Sequence, residues 1–281
     1  MPAMQTCFDR YAQRLALHTW TLELTPFAET LRIARETGWN AVEIRRSDVL
    51  QCYKSGLSRD DVIRLIRESG IAVANTGTEY GILFAQGEEL QRLLGVLDET
   101  CVIAKAVGCD MIMTATGQKT GSLALAAGNL RAAGDVVAAH GLRIAWEYSS
   151  AHESVNRLDI ARELHARVAH PAFGLLLDAY HLERSGSGGR GFADVPAEHI
   201  FAFQYSDVPA TSPPGMLRPT DRLAPGRGRV RWSEVFALLA EKGYQGYLSY
   251  EAPNPELWAR PAADAAREGA ELTRALLADV K

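Results

Sequence analysis

Four phrases, GWNAVEI (Gly38–Ile44), GIAVANT (Gly70–Thr76), GCDMIMT (Gly108–Thr114) and GLRIAWE (Gly141–Glu147), decide the fold. Each opens on a glycine placed to end a helix and enters a short apolar run within a few residues. Such runs, apolar at successive positions, read as parallel strands buried on both faces. Working outward from them gives eight strands: Leu15–His18, Ala41–Ile44, Ile71–Asn75, Asp110–Thr114, Arg143–Glu147, Gly174–Asp178, Ile200–Tyr205 and Tyr247–Glu251. Amphipathic stretches lie between them: Pro26–Thr37, Arg59–Ser69, Glu88–Val107, Leu123–His140, Asn156–Ala169, Trp232–Glu241 and Pro261–Ala278, with Gly243 as a fifth capping glycine. Eight βα units predict an α/β protein, a (β/α)8 TIM barrel forming one domain over residues 1–281. A doubly wound sheet would carry a glycine-rich phosphate loop after an early strand, and no early loop here is of that kind.

Composition narrows the partners. The chain is 47% hydrophobic and 23% charged, enough for a sizeable core without staples. Its net charge of -4 gives no footprint for nucleic acid or an anionic membrane surface. Cys7, Cys52, Cys101 and Cys109 fall in no CxxC spacing and read as reduced thiols. No charged-then-apolar leader opens the sequence and no apolar run reaches about 18 residues, so a cytoplasmic protein is expected. The loops Ser185–Asp194 and Pro209–Arg229 are long for βα units, and long loops are where function tends to be built.

In a barrel of this kind, active-site groups project from the C-terminal ends of the strands. Strand five ends in Glu147, strand six in Asp178, strand seven carries Gln204 and strand eight ends in Glu251. A polar residue at a single strand end usually caps a helix or pairs with an arginine. Four on consecutive strands are harder to dismiss, because gathered carboxylates repel one another unless a cation sits among them. A divalent ion held by Glu147, Asp178, Gln204 and Glu251 resolves that repulsion. Oxygen donors suit Mn²⁺ or Mg²⁺ best, with Co²⁺ and Zn²⁺ as the other candidates. The chemistry such a site permits is proton abstraction beside a carbonyl of a small polyhydroxylated or keto substrate.

Five segments carry a family likeness: WEY at Glu147, LLLDAYHLERSG (Leu175–Gly186), FQYSDVP (Phe203–Pro209), DRLAPGRG (Asp221–Gly228) and GYQGYLSYEAPNPELW (Gly243–Trp258). On these the chain resembles the xylose isomerase-like barrel family. That group holds sugar and inositol-derivative isomerases, ketose 3-epimerases, hydroxypyruvate isomerase and 3-dehydroshikimate dehydratase. The resemblance implies the same four metal ligands, with Glu147 and Glu251 doubling as catalytic acid and base. It further implies that His181 and Arg222 bind substrate oxygens. The seventh-strand ligand is a histidine in many members and a glutamine in some, including dehydratases, so Gln204 keeps a lyase beside the isomerase or epimerase reading. A β-keto acid decarboxylase would pass through the same enolate.

Two rivals come from other classes. A DNA-repair endonuclease would need more histidine ligands and a basic groove. A non-catalytic sugar-binding barrel would be expected to lose one of the two glutamates, and both remain. Self-association into a homo-oligomer is left open. His18 with Trp20, and Glu43 with Arg45, close strands one and two; they wall a pocket or pack under loops. Glu153 is a substrate-binding glutamate or an exposed charge, and Asn156 a pocket residue or an N-cap. Asp207 reads as a cap. Trp258, beyond the prolines that follow strand eight, shapes the pocket or a subunit contact. His140, His165, His170 and His199 read as solvated.

Overall fold

The computed structural model describes residues 8–212 and 219–280; Cys7 and residues 213–218, inside the long loop after strand seven, lie outside them. Eight parallel strands close into a barrel in sequence order: β1 (Leu15–His18), β2 (Ala41–Ile44), β3 (Ala72–Gly77), β4 (Met111–Ala115), β5 (Arg143–Glu147), β6 (Phe173–Asp178), β7 (Ile200–Tyr205) and β8 (Leu248–Tyr250). The (β/α)8 expectation holds. The helices are α1 (Phe27–Glu36), α2 (Arg46–Lys54), α3 (Arg59–Ser69), α4 (Gly87–Ala106), α5 (Leu123–Ala139), α6 (Leu158–Val168), α7 (Ala179–Arg184), α8 (Trp232–Glu241), α9 (Pro255–Trp258) and α10 (Ala262–Asp279).

Strand identity follows from burial on both faces. Only Ala72 and Arg143, each opening its strand, are exposed, and Ala115 and Phe201 are half-buried. Helix ends follow from backbone conformation. Gly38, Gly70, Gly108, Gly141 and Gly243 all take positive φ, between 68° and 87°, which a side chain resists. Helix α6 ends instead on Ala169 at φ 46°, the non-glycine residue there among the described ones.

The barrel closes where β1 meets β8, with Leu17 in register with Tyr250. Outside that seam the Tyr250 ring stacks on Trp39 at 5.6 Å, and the Trp39 indole donates to the Ala266 carbonyl of α10. Gly269 lets α10 approach: a Cβ there would stand 2.5 Å from the Tyr250 ring. The last helix is thereby tied over the first βα unit.

Several elements differ from expectation. Strand β8 stops at Tyr250, leaving Glu251 just past its end, although the Glu251 N–H still donates to the Tyr205 carbonyl. Helix α6 begins at Leu158 with Arg157 as its N-cap, so Asn156 does not cap it. The short helices α2, α7 and α9 lie wholly within the βα connections that follow β2, β6 and β8.

Candidate active site

The register sets which strand ends meet. His18 pairs with Glu43, Asp178 with Gln204, and Gln204 with Ser249 beside Glu251. All of His18, Glu43, Glu147, Asp178, His181, Gln204, Arg222 and Glu251 are buried. Four carboxyl groups therefore share one buried rim with the Arg222 guanidinium.

Arg222 is the internal counter-charge. Its Nη1 donates to Asp178 Oδ2 at 2.6 Å and lies 3.1 Å from Glu251 Oε2, while the Tyr180 ring covers the guanidinium at 4.3 Å. Its loop is built by two aspartates. Asp221 accepts from the Tyr180 hydroxyl, Arg184 and Ser212. Asp207, read as a cap, instead collects four donors: the N–H groups of Val208, Gly226 and Val230 and the Trp232 indole, all at 2.8–2.9 Å. Gly228 passes so close that a Cβ would meet Asp207 Oδ1 at 2.5 Å. Asn254 completes the support by donating to the Arg222 carbonyl.

Asp178 divides its oxygens. Oδ1 accepts the Tyr180 N–H at the start of α7, and Oδ2 meets Arg222. Gln204 is wholly buried; its Nε2 donates to Glu43 Oε1 at 2.9 Å, and its Oε1 has no hydrogen-bond partner. Glu147 Oε1 is likewise buried and without one. Buried acceptors without donors are costly, on the order of 1–3 kcal/mol each, and such atoms fit a site awaiting a cation.

The two histidines are neutral donors. His18 Nδ1 accepts the Trp20 N–H, which puts the ring proton on Nε2, 3.6 Å from Glu251 Oε1 and 3.9 Å from Glu43 Oε1. His181 Nδ1 accepts the Ser150 N–H at 3.1 Å, so its Nε2–H faces Glu147 Oε1 at 3.6 Å and Asp178 Oδ2 at 3.9 Å. Burial holds the His181 ring down to about 3, with Asp178 opposing and Arg222 and Arg184 assisting. Burial, then Arg45 and Arg222, holds His18 well below the ordinary histidine value. Arg222 Nη2 stands 3.4 Å from His181 Nε2, a contact between two donors.

Without a cation the carboxyls resist ionisation. Burial, then the Glu251 and Asp178 charges, raises Glu147 well above the ordinary carboxyl range. Glu251 is also raised, by burial against the pull of Arg222. Burial pushes Glu43 up, with Ser249, Asn75 and Gln204 drawing it back.

Among the described residues, Glu147, Asp178 and His181 put one ligand atom each within 4.8 Å of one another, a group that could hold a metal ion. The His181 tautomer argues against it as the third ligand, since Nε2 carries a proton where a metal needs a lone pair. Glu251 and Gln204 are buried on the same rim.

Several expectations find their places. Trp20 and Arg45 stay on the rim and, with Leu50, Thr78 and Tyr80, line a cavity of about 380 Å³. A larger cavity, about 650 Å³, lies at the opposite barrel end beside Ala72, Asp110 and Arg143. Glu153 is exposed. Trp258 donates to the Trp20 carbonyl, tying α9 over the end of β1. His140 pairs with Asp98, His170 with Asp135, and the His165 and His199 rings lie 4.0 Å apart, all away from the rim residues. Cys52, Cys101 and Cys109 are buried free thiols. Tyr80 escaped the sequence reading. It is 44% exposed, yet its hydroxyl lies 3.6 Å from Met113 Sδ and feels Glu251, Glu147 and Glu43 after burial itself. Its place past β3 was the signal that could have found it.

Residues 31–276 match the family described as xylose isomerase-like TIM barrel, and the chain belongs to that family. The 3-dehydroshikimate dehydratase of Pseudomonas aeruginosa is 29% identical over 237 residues, 83% of this chain and 37% of that protein. The chain thus spans little more than a third of that relative's length. The inosose isomerase of Halalkalibacterium halodurans is 23% identical over 264 residues, 90% of this chain and 92% of that protein. A solved structure of IOLI protein with a binding zinc atom superposes with a TM-score of 0.85 at 21% identity, covering 95% of this chain and 99% of that one. That last likeness speaks to the fold. No described helix is long and apolar enough to cross a membrane.

Proposed function

We propose that this chain is a divalent-metal-dependent isomerase or epimerase of small keto-polyols, inososes or ketoses, working by proton transfer between Glu147 and Glu251. One observation carries the reading: four buried carboxyls share a rim with one buried guanidinium, and four oxygens there, Glu43 Oε2, Glu147 Oε1, Gln204 Oε1 and Glu251 Oε2, have no hydrogen-bond partner, Arg222 lying 3.1 Å from the last. Glu147, Asp178, Gln204 and Glu251 would hold the ion, and an all-oxygen set favours Mn²⁺ or Mg²⁺. Bound there, the ion supplies Lewis-acid polarisation of a substrate carbonyl and a template for its neighbouring hydroxyl.

The chain's own groups do the rest. One glutamate removes the proton beside the carbonyl, and the other returns it to the adjacent carbon or the opposite face. The His181 Nε2–H and the Arg222 Nη2 are donors 3.4 Å apart, and a substrate oxygen facing the pair from one side would accept from both. Burial keeps His181 neutral, so it donates without competing for the proton in transfer.

A second reading, a lyase expelling a β-hydroxyl from the same intermediate, is favoured by Gln204 and by the dehydratase relatives. Product mass separates the two. Purified protein is assayed for bound metal, then given Mn²⁺ with inososes, ketoses and 3-dehydroshikimate. A product isomeric with its substrate, heavier only by the solvent deuterium it has taken up, supports the isomerase; loss of one water moves the assignment to the lyase. Neither metal binding nor turnover would overturn both.

A further inference from the structure

We infer that Glu43 is a positioning residue, whose carboxylate dictates which end of the Gln204 amide faces the metal site. The inference rests on the metal-site reading above and assigns a role to a group outside the proposed ligand set.

A carboxamide presents an oxygen and an NH₂ of nearly the same shape, so packing alone does not choose between its two orientations. The choice matters here. One orientation offers a lone pair to a cation; the other offers two N–H donors, which repel it. Glu43 Oε1 accepts the Gln204 Nε2–H at 2.9 Å, and a carboxyl oxygen that carries no proton can only accept, whatever the state of its neighbour. The amide oxygen is thereby turned away from Glu43 and left buried without a partner, on the strand position in register with Asp178. The bond also polarises the amide, drawing density onto Oε1 and strengthening a weak neutral donor.

A space-filling role fits poorly. Burying a carboxyl and an amide at 1% and 0% exposure is expensive, and apolar residues of similar volume would be cheaper in a barrel core. Glu43 Oε1 is taken by Gln204 and approached by the His18 Nε2–H at 3.9 Å, while its Oε2 is buried without a hydrogen-bond partner.

The test uses isosteric variants and measures metal affinity by calorimetric titration of Mn²⁺ into metal-free protein. In Glu43→Gln the group at 43 donates as readily as it accepts, so the orientation at 204 is no longer dictated. Affinity is expected to fall about 10–100-fold, the scale of losing a group that orients a ligand. The double variant Glu43→Gln/Gln204→Glu reverses the pair. Its amide at 43 donates to one oxygen at 204 and leaves the other for the ion, so affinity is expected to return to about the wild-type value. Because a carboxylate at 204 is itself a stronger ligand, the reference is Gln204→Glu alone, in which two carboxyls face each other; tighter binding in the double variant than in that single variant is not the behaviour of a residue that merely fills space.

Wild-type affinity in Glu43→Gln, or no recovery in a folded double variant, overturns the inference while leaving the metal site standing. No Mn²⁺ binding by the wild type overturns the metal-site reading and this inference with it. Should Glu43→Gln fail to fold, the double variant, which keeps one amide and one carboxylate, is compared with Gln204→Glu, and affinity no higher than in that single variant overturns the inference.

Discussion

Glu147 and Glu251 are the residues on which turnover is proposed to depend. Changing either to glutamine keeps an oxygen donor and the side-chain volume while removing the group that accepts a proton. Each variant is expected to bind metal and substrate yet lose about two or more orders of magnitude in turnover. Solvent deuterium exchange at the substrate α-carbon reads the abstraction step directly. The variant that no longer exchanges lacks the base for that carbon; wild-type exchange in both would remove the glutamates from the mechanism. Gln204→Ala tests a different property. It deletes one neutral donor beside three anionic ones, so Mn²⁺ affinity should drop and excess Mn²⁺ should restore part of the activity. Unchanged activity at trace metal would make Gln204 a pocket residue only.

At the scale of elements, the loop from β7 to α8 is held by Asp207, whose carboxylate gathers three backbone N–H groups and the Trp232 indole. An amide at this position would turn an NH₂ toward one set of donors. Asp207→Asn is therefore expected to lower stability by about 2–4 kcal/mol. Because the same loop carries Arg222, KM should rise more than kcat falls. A denaturant midpoint and a KM indistinguishable from wild type would contradict this role. The elements also divide by how legible they were. Strands such as Ala41–Ile44 and Arg143–Glu147 were readable because burial on two faces leaves an uninterrupted apolar run. Helices α2, α7 and α9 were not, since each is short and follows a strand with no glycine-marked gap. Glu147, Asp178, Gln204 and Glu251 stood out as polar groups ending apolar runs. His18 and Glu43 had the same signature but a bland alternative, and only closure of the barrel brings them to Glu251 and Gln204. Tyr80 reaches Met113 on β4, and Asp207 gathers donors as far along the chain as Gly226, Val230 and Trp232, so no local pattern announces them.

For the whole molecule, the carboxyl cluster couples metal, pH and stability. Glu147 and Glu251 are raised in the metal-free fold, Glu251 to about 7. The folded state then binds protons that the unfolded chain releases. That contribution is fully present below about pH 4.5 and is lost as pH rises through about 7. A bound cation requires the ionised forms, so metal binding expels those protons and strengthens as pH rises. The gain in Tm from saturating Mn²⁺ should thus be larger at about pH 7.5 than at about pH 5.5, by several degrees. Equal gains at both would mean that the ion binds away from these carboxyls.

A crystal of the protein grown with Mn²⁺ and measured for anomalous scattering locates the ion itself. The expected result is a single strong peak within about 2.0–2.6 Å of oxygens from Glu147, Asp178, Gln204 and Glu251, with the Gln204 amide still donating to Glu43 and His181 outside the ligand set. A peak at the opposite end of the barrel, a ligand set of Glu147, Asp178 and His181 that leaves out Gln204, or no peak at saturating metal would contradict it.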